Sequence, residues 1–282
     1  MERHIFKFGE GSTALILPKA WVDKSGLKAS DAVYLSETES GNLIVTATGT
    51  NKKSTEWVTD SKVSPTLLGR RIGLHYMYGT TSLHVYSSDG FTRSQLDVIE
   101  NTVHGSCSGF EITTQTSKEV VIEDLTNIKE VNLEKVIMRL RSIVGQEFSE
   151  LENSDTYAIG KMEELVNRFY MLGIRYINIT QARDFFRYFG VLEALEGIAD
   201  GLAFISEEPS ARGTPIFEYM HKQFDLAFTG FTGNLKVIEE VTEMRASILK
   251  KIPRRKIDKL DTYILRNITD KISDIAEFGL KL

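Results

Sequence analysis

Four carboxylates recur along one short segment of the chain. Glu193, Glu196, Asp200 and Glu207 follow one another at spacings that place them on one side of a helix. Apolar residues of the same segment form a second stripe: Leu192, Leu195, Ala199, Leu202 and Ile205. Glu196 and Asp200 are one helical turn apart, and like charges at that spacing cost roughly 0.2–0.5 kcal/mol on an exposed helix. A metal ion, a lysine or arginine, or a partner protein would offset this repulsion; alternatively, the stripe is an ordinary solvated face.

The same pattern of residues returns near the end of the chain. Leu265–Glu277 overlays on Leu195–Glu207 at a constant offset of 70 residues. The apolar positions match, and the acidic positions Asp200 and Glu207 meet Asp270 and Glu277. An internal repeat of this kind indicates one supersecondary unit that is used twice.

The acidic segment resembles a known signature. Leu195-Glu-Gly-Ile-Ala-Asp200 is similar to the Leu-Glu-Arg-Ile-Gly-Asp motif of the PhoU family of phosphate uptake regulators. That resemblance implies two three-helix bundles with acidic pairs on adjacent helices, and a divalent or ferric metal ion on the acidic face of the first repeat. The implied ligands in the first repeat are Glu163, Glu196 and Asp200. Their counterparts in the second repeat are Glu239, Glu243 and Asp270.

Two residues depart from the family pattern. Asn167 stands on the preceding helix where a carboxylate is expected, and Arg266 stands where another is expected. A cation at Arg266 would repel a metal ion, and it lies four residues before Asp270, the spacing of a helical ion pair. The second acidic face is therefore predicted to be a degenerate, salt-bridged remnant of the first.

The composition favours a folded protein of two or three domains. The chain has 282 residues, of which 41% are hydrophobic and 10% aromatic. A single cysteine, Cys107, excludes an internal disulfide and points to a reducing compartment. No apolar run reaches the ~18 residues of a membrane span. These features predict a cytoplasmic protein with no membrane insertion, and the net charge of -5 means that any nucleic-acid surface must be local.

The first part of the chain has the pattern of short strands. Alternating runs predict strands at 4–8, 13–17, 31–35 and 42–46, and a short helix at 18–25. Four short strands supply too little core for one copy to fold alone. The sequence therefore predicts that this part pairs with a second copy of itself.

This part also resembles a known family. Leu17-Pro-Lys-Ala-Trp21, Gly26-Leu27 and Asp31-Ala-Val33 are similar to the pattern of the AbrB/MazE (SpoVT-like) swapped-hairpin family, with Ala29 where many members have glycine. The resemblance implies that residues 1–48 form a homodimeric DNA-binding domain. It agrees with the first resemblance, since archaeal regulators combine these two modules. The DNA-binding residues implied by family position are Arg3, Lys7, Ser12 and Lys19.

The remaining chain is predicted to contain two further parts, which makes the fold class multidomain α+β. Residues 48–62 are polar and are predicted to be a linker, in which Lys52 and Lys53 are further candidates for contact with DNA phosphates. A small α/β module of residues 56–126 precedes a helical domain of residues 130–282. Spacing between domains is the favoured role of this module, and binding of a small molecule is the alternative. Six helices are predicted there, near 131–151, 154–179, 181–208, 213–230, 233–251 and 256–280. They divide into two repeats, about 130–209 and 213–282.

Catalytic chemistry has little support in the sequence, and we predict a non-enzyme. The histidines lack metal-ligand spacing: His4, His75, His84, His104 and His221. The preferred hypothesis is a homodimeric DNA-binding transcriptional regulator of phosphate uptake. An alternative is a signalling adaptor that contacts a phosphate transporter or its regulators, with an N-terminal hairpin that only dimerises. An antitoxin like MazE is a third, less favoured hypothesis, because a helical domain replaces the toxin-binding tail.

Overall fold

The computed structural model describes residues 2–37, 41–47, 54–126, 128–153, 155–180, 184–207, 215–252 and 259–280. Contacts along the chain divide it into two units, Met1–Asn51 and Lys52–Leu282. The fold is mixed α+β, with small sheets first and a helical region after them. Each unit is described by itself below.

The first unit contains two separate antiparallel hairpins. In the first hairpin β1 (Ile5–Phe8) pairs with β2 (Ser12–Leu15), and in the second β3 (Tyr34–Glu37) pairs with β4 (Leu43–Thr46). Gly9 has a φ of 72°, a left-handed conformation that glycine adopts without strain, in the turn after β1. The short helix α1 (Lys19–Lys24) follows Pro18, and Gly26, with a φ of 66°, follows its end. All four predicted strands are therefore present, with their ends shifted by a few residues.

The apolar side chains of the first unit are exposed. Ile5 is 70% exposed, Phe8 is 69% exposed, and Leu35 and Leu43 are each 61% exposed. No side chain that the structure describes in this unit is buried. Isolated two-stranded hairpins are at best marginally stable in water. The unit thus has the strands of a folded domain without a hydrophobic core of its own.

The second unit begins with a four-stranded sheet and two helices. Their order is β5 (Ser54–Thr59), α2 (Pro65–Met77), β6 (Ser82–Ser87), α3 (Arg93–Ser106), β7 (Phe110–Gln115) and β8 (Glu119–Asp124). The strand order is β5-β6-β8-β7, and β5 and β6 are parallel while the other pairs are antiparallel. Both helices pack on one face of the sheet, where Ile72 and Ile99 meet Leu83, Val85 and Ile122. These elements agree with the α/β class that the sequence predicted for residues 56–126.

The prediction that residues 48–62 form a linker is wrong for residues 54–59. These residues form β5, which alternates between exposed and inward-facing positions, with Trp57 and Thr59 buried. The segment is polar on average, because it contains Ser54 and Glu56 and is flanked by lysines. This average polarity hides the two-residue period of its inward-facing side chains. Lys52 and Lys53 lie outside the described residues.

Local hydrogen bonds explain where α2 and α3 begin. The Ser64 hydroxyl accepts a hydrogen bond from the backbone N–H of Leu67, and Pro65 occupies the first position of α2. Thr92 and Gln95 form a reciprocal capping box at the start of α3. The Gln95 amide also donates to the backbone carbonyls of Asp60 and Val63, which fixes the β5–α2 loop against α3.

The helical region contains six helices within the described residues, in the predicted order. They are α4 (Leu133–Asn153), α5 (Thr156–Thr180), α6 (Phe185–Ser206), α7 (Ile216–Gly230), α8 (Leu235–Lys251) and α9 (Lys259–Glu277). Helices α4, α5 and α6 pack against one another, as do α7, α8 and α9. Helix α6 also packs on α9, and α4 on α7, so one continuous core runs through all six.

The repeated apolar stripe is buried in both copies. Leu195, Ile198, Leu202 and Ile205 of α6 are fully buried. So are their counterparts at the offset of 70: Leu265, Ile268, Ile272 and Ile275 of α9. The acidic stripe of each helix is consequently directed away from this shared core. No helix among the described residues combines the length and hydrophobicity needed to cross a membrane.

One buried arginine joins the sheet to the helical region. Arg175 of α5 is fully buried and pairs with Asp124 at the end of β8, with 2.5 Å between Nη2 and Oδ2. Its Nη1 donates to the backbone carbonyl of Tyr76 at the end of α2. The guanidinium also lies over the rings of Tyr76 and Phe110. The α/β module is therefore fixed to α5 by a specific buried contact.

Candidate functional site

The acidic stripe on α6 lies at a half-buried position between helices. Glu193 and Glu196 are partly buried, whereas Asp200 is exposed. Burial, and then the negative charges of Asp200 and Glu193, raise the pKa of Glu196 to about 7. The pKa of Asp200 is raised as well, because neighbouring atoms partly desolvate its carboxyl group although the residue as a whole is exposed. The stripe is therefore more than a solvated face, because water no longer screens its charges fully.

Helix α5 contributes the second side of the candidate site. Glu163 and Asn167 are both partly buried, and the Asn167 amide donates to Glu163 with 3.3 Å between Nδ2 and Oε1. The negative charge of Glu163 contributes to the raised pKa of Glu196, after burial and the charges of Asp200 and Glu193. Asn167 thus acts as a hydrogen-bond donor to Glu163 rather than as a further acid, and among the described residues Glu163, Glu196 and Asp200 do not form a group that could hold a metal ion.

A fourth carboxylate at this site was missed in the sequence. Glu147 of α4 is fully buried, and neither of its oxygens has a hydrogen bond to any residue that the structure describes. Burial, and then the charges of Glu163 and Asp200, raise its pKa to about 8. A signal was present, because Glu147 occupies a core position between Val144 and Leu151, at the spacing of the apolar stripe of α4.

A lysine from the second repeat lies on the acidic stripe. Lys271 of α9 places its Nζ 3.4 Å from the backbone carbonyl of Glu193. Its positive charge opposes the rise in the pKa values of Glu196 and Asp200. The Tyr170 hydroxyl donates a short hydrogen bond to the side chain of Glu193, and burial followed by this bond raises the tyrosine pKa. Glu193, Glu196 and Asp200 therefore each have a charged or hydrogen-bonding neighbour within the chain.

The donor set does not fit a metal ion in this arrangement. Within the described parts of the chain, no three His, Cys, Asp or Glu side chains converge closely enough to hold one. The ammonium of Lys271 is at the stripe, and a cation there opposes binding of a second one. One oxygen of Glu163 already accepts from Asn167. Metal binding at Glu163, Glu196 and Asp200 stays a prediction from the resemblance.

The second acidic face is also neutralised by a cation, although a different one from the residue predicted. Asp270 pairs with Arg245 of α8, with 2.6 Å between Nε and Oδ1. Arg266 is exposed, and its expected ion pair with Asp270 does not form. The i, i+4 spacing places Arg266 on the same face of α9 as Asp270. The guanidinium that pairs with Asp270, however, is that of Arg245 on the neighbouring helix α8. Glu239 and Glu243 are exposed on α8.

The predicted DNA-binding residues are all exposed on the first unit. Arg3, Lys7 and Lys19 have no ion pair with any residue that the structure describes. The hairpin register pairs Lys7 with Thr13 and Ser12 with Phe8. Because cross-strand partners share a face and neighbours along a strand alternate, Lys7 and Ser12 lie on opposite faces of the hairpin. The cations are available to a partner, but Ser12 is not on the Lys7 face.

No protein-family model, curated protein or solved structure matches the chain. The two family resemblances therefore rest on the residues quoted in the sequence analysis.

Proposed function

We propose that the chain is a homodimeric DNA-binding transcriptional regulator of phosphate uptake, whose helical domain senses or relays phosphate status. The observation that carries the dimer is the first unit, which has four strands and exposed Ile5, Phe8 and Leu35 but no buried side chain within its described residues. A second copy that exchanges hairpins would supply the missing core. The AbrB-like sequence pattern supports the same arrangement.

The DNA part of the proposal rests on unpaired cations in this unit. Arg3, Lys7 and Lys19 are exposed and are not neutralised by described neighbours. In a dimer each cation is present twice, which doubles the number of phosphates that the surface can contact. The phosphate-uptake part rests on the PhoU-like motif of α6, whose apolar stripe recurs in α9 and is buried in both.

A second candidate function is a signalling adaptor. In that case the first unit only dimerises, and the helical region contacts a phosphate transporter or its regulators. Two observations favour it: the net charge of -5, and the placement of Lys7 and Ser12 on opposite faces of their hairpin. The two functions share the dimer and differ in whether the protein binds DNA.

The dimer has its own test in the oligomeric state. Leu35→Glu with Leu43→Glu places two charges on one face of the second hairpin. Leu35, which pairs with Val45, lies on the same face of β3 as Glu37, and Leu43 is the cross-strand partner of Glu37. We expect light scattering after size exclusion to show a dimer for the wild type and a monomer for this variant. The matched control is Val58→Glu with Leu74→Glu, two exposed apolar residues of the second unit, which should remain dimeric. A monomeric wild type would exclude the proposal.

DNA binding is tested by removing the three cations. Arg3→Ala, Lys7→Ala and Lys19→Ala together should leave the dimer intact and abolish retention of sheared duplex DNA at low salt. The plot of log binding constant against log salt should become shallower by about 0.9 per lost phosphate contact. The control removes one arginine and two lysines from the second unit: Arg70→Ala, Lys118→Ala and Lys250→Ala. DNA binding that is absent in the wild type, or equal in the two variants, would favour the adaptor.

A further inference from the structure

A small cavity opens between α6 of the first helical repeat and α9 of the second. Its volume is about 290 Å³, close to the lower limit of about 300 Å³ for ligand pockets in proteins. Helix α6 supplies one wall and α9 the other, and none of the candidate metal ligands lines it. A cavity of this size suits a molecule with one ring or one branched chain rather than a nucleotide.

Two glycines of α6 flank the cavity, and each lets a side chain of α9 lie directly on the α6 backbone. A Cβ atom on Gly190 would overlap the ring of Phe278, and a Cβ atom on Gly197 would overlap the end of the Lys271 side chain. The two glycines are seven residues apart, which corresponds to about 10 Å along the helix. The cavity therefore has an aromatic end at Gly190 and a charged end at Gly197.

The aromatic end offers apolar surface to a ligand. Phe186, Phe189 and Phe278 all line the cavity. Phe186 is 84% exposed, and the ring of Phe189 stacks on that of Phe185 with 5.6 Å between the ring centroids. Exposed aromatic side chains that line a concave surface are typical of binding sites. This end can therefore hold an apolar group.

The charged end offers both signs of charge. Lys271 and Asp274 are one helical turn apart on α9, and Glu193 of α6 also lines the cavity. Neither Lys271 nor Asp274 has an ion pair with a residue that the structure describes. Lys271 donates to the backbone carbonyl of Glu193, with 3.4 Å between Nζ and the oxygen, and an ammonium has three N–H donors. The side chains of Lys271 and Asp274 thus have capacity left for a ligand.

These three charges favour a ligand that is itself a zwitterion. A simple carboxylate would be attracted by Lys271 and repelled by Asp274 and Glu193. A simple amine would be attracted by the two acids and repelled by the lysine. A molecule with one carboxylate and one ammonium satisfies both, and an apolar group on the same molecule reaches the aromatic end.

We propose that the cavity between α6 and α9 binds a free α-amino acid with an apolar side chain. The ligand carboxylate pairs with Lys271, its ammonium pairs with Asp274, and its side chain packs among the phenylalanine rings. The bound amino acid contacts both helical repeats, because each of them supplies one wall. This inference is independent of DNA binding and of any response to phosphate.

The first experiment titrates the full-length protein by calorimetry with L-phenylalanine and L-leucine. Two analogues of L-phenylalanine serve as comparisons: phenethylamine, which lacks the carboxylate, and 3-phenylpropionate, which lacks the ammonium. We expect at least one of the amino acids to bind, and L-phenylalanine to bind about tenfold or more tightly than either analogue, because each analogue loses a charged hydrogen bond. The proposal is overturned if neither amino acid binds at millimolar concentration, or if an analogue binds as tightly as L-phenylalanine.

The second experiment changes the cavity one group at a time. Lys271→Met should weaken L-phenylalanine by about tenfold or more and leave phenethylamine at least as tightly bound as in the wild type. Asp274→Asn should weaken L-phenylalanine by a similar factor and leave 3-phenylpropionate at least as tightly bound. Phe186→Ala, at an exposed residue whose loss does not endanger folding, should weaken L-phenylalanine severalfold.

Matched controls are Lys250→Met, at an exposed lysine of α8, and Tyr157→Ala, at an exposed aromatic residue of α5. Both should bind L-phenylalanine as the wild type does. An affinity for L-phenylalanine that is unchanged in Lys271→Met and Asp274→Asn contradicts the proposal. The wild-type titrations and Phe186→Ala remain decisive if the charge variants do not fold.

Discussion

Replacement of Arg175 by methionine is expected to destabilise the second unit by about 3–5 kcal/mol, the usual effect of removing one partner from a buried ion pair. The side chain of Arg175 is 0% exposed and that of Asp124 is 5% exposed, so water cannot replace the lost guanidinium. Methionine keeps much of the length and none of the charge. For a unit of this size the melting temperature should fall by roughly 10 °C.

The contacts of Arg175 explain why a single residue has such a large effect. Its two terminal nitrogens bond to Asp124 and to the Tyr76 carbonyl, which lie at the ends of β8 and α2. The guanidinium also covers the rings of Tyr76 and Phe110, at 4.7 Å and 5.1 Å from their centroids. Its loss would leave a buried carboxylate and a backbone carbonyl unpaired at the junction between sheet and helices.

A double-mutant cycle separates the ion pair from simple loss of packing. Asp124→Asn in the Arg175→Met background removes the unpaired charge, so the double variant should be less destabilised than the sum of the single variants, by about 0.5–3 kcal/mol. The control is Lys222→Met, which breaks the exposed pair with Glu218 and should change stability by less than about 1 kcal/mol. Equal destabilisation by Arg175→Met and Lys222→Met would show that the buried pair does not hold the two parts together.

The second large effect is expected from Glu147→Gln, which should stabilise the protein at high pH. The pKa of Glu147 is raised from 4.5 to about 8 in the folded state. Between these two values the folded state keeps a proton that the unfolded state loses, so the wild-type free energy of unfolding falls as pH rises. The loss begins near the unfolded pKa and is complete above the folded pKa. Glutamine has no such titration.

The gain for glutamine should therefore depend on pH in a defined way. Below the unfolded pKa the two proteins should have similar stability, because glutamic acid and glutamine are both neutral there. Above the folded pKa the variant should be more stable by up to about 5 kcal/mol, from 1.36 kcal/mol per pKa unit. Chemical denaturation across this pH range measures the difference directly.

An exposed glutamate provides the control for this titration. Glu240→Gln on α8 removes the same charge from a solvent-exposed position and should shift stability by a small amount that does not grow with pH. A Glu147→Gln difference that stays constant across the same range would mean that the Glu147 carboxylate is ionised in the folded protein, with a cation or water beside it.

Both predicted effects concern the first three helices of the helical region. Arg175 and the pair of Glu163 and Asn167 lie on the same helix, α5, so one rigid element contacts the sheet at one part and the acidic face at another. The α/β module is consequently fixed to the helix that borders the acidic face.

Several features followed from the sequence alone because they depend on residues close together in the chain. The apolar stripes of α6 and α9 were predicted from their spacing, and every matched position is buried. Thr92 is of a residue type that favours the start of a helix, and its side chain accepts a hydrogen bond from the backbone N–H of Gln95 at the start of α3. The alternation of the N-terminal residues predicted the four strands that form the two hairpins. Periodicity and capping act over one or two turns, so sequence encodes them directly.

The partners of the charged residues were decided only by the tertiary structure. Lys271 meets Glu193 across 78 residues of chain, and Arg245 rather than the nearer Arg266 pairs with Asp270. Glu147 gave no sign of its neighbours until α4, α5 and α6 packed together, and β5 became a strand only by pairing with β6. Such contacts depend on which face of one helix or strand packs against another. A local pattern of residue types does not determine that packing.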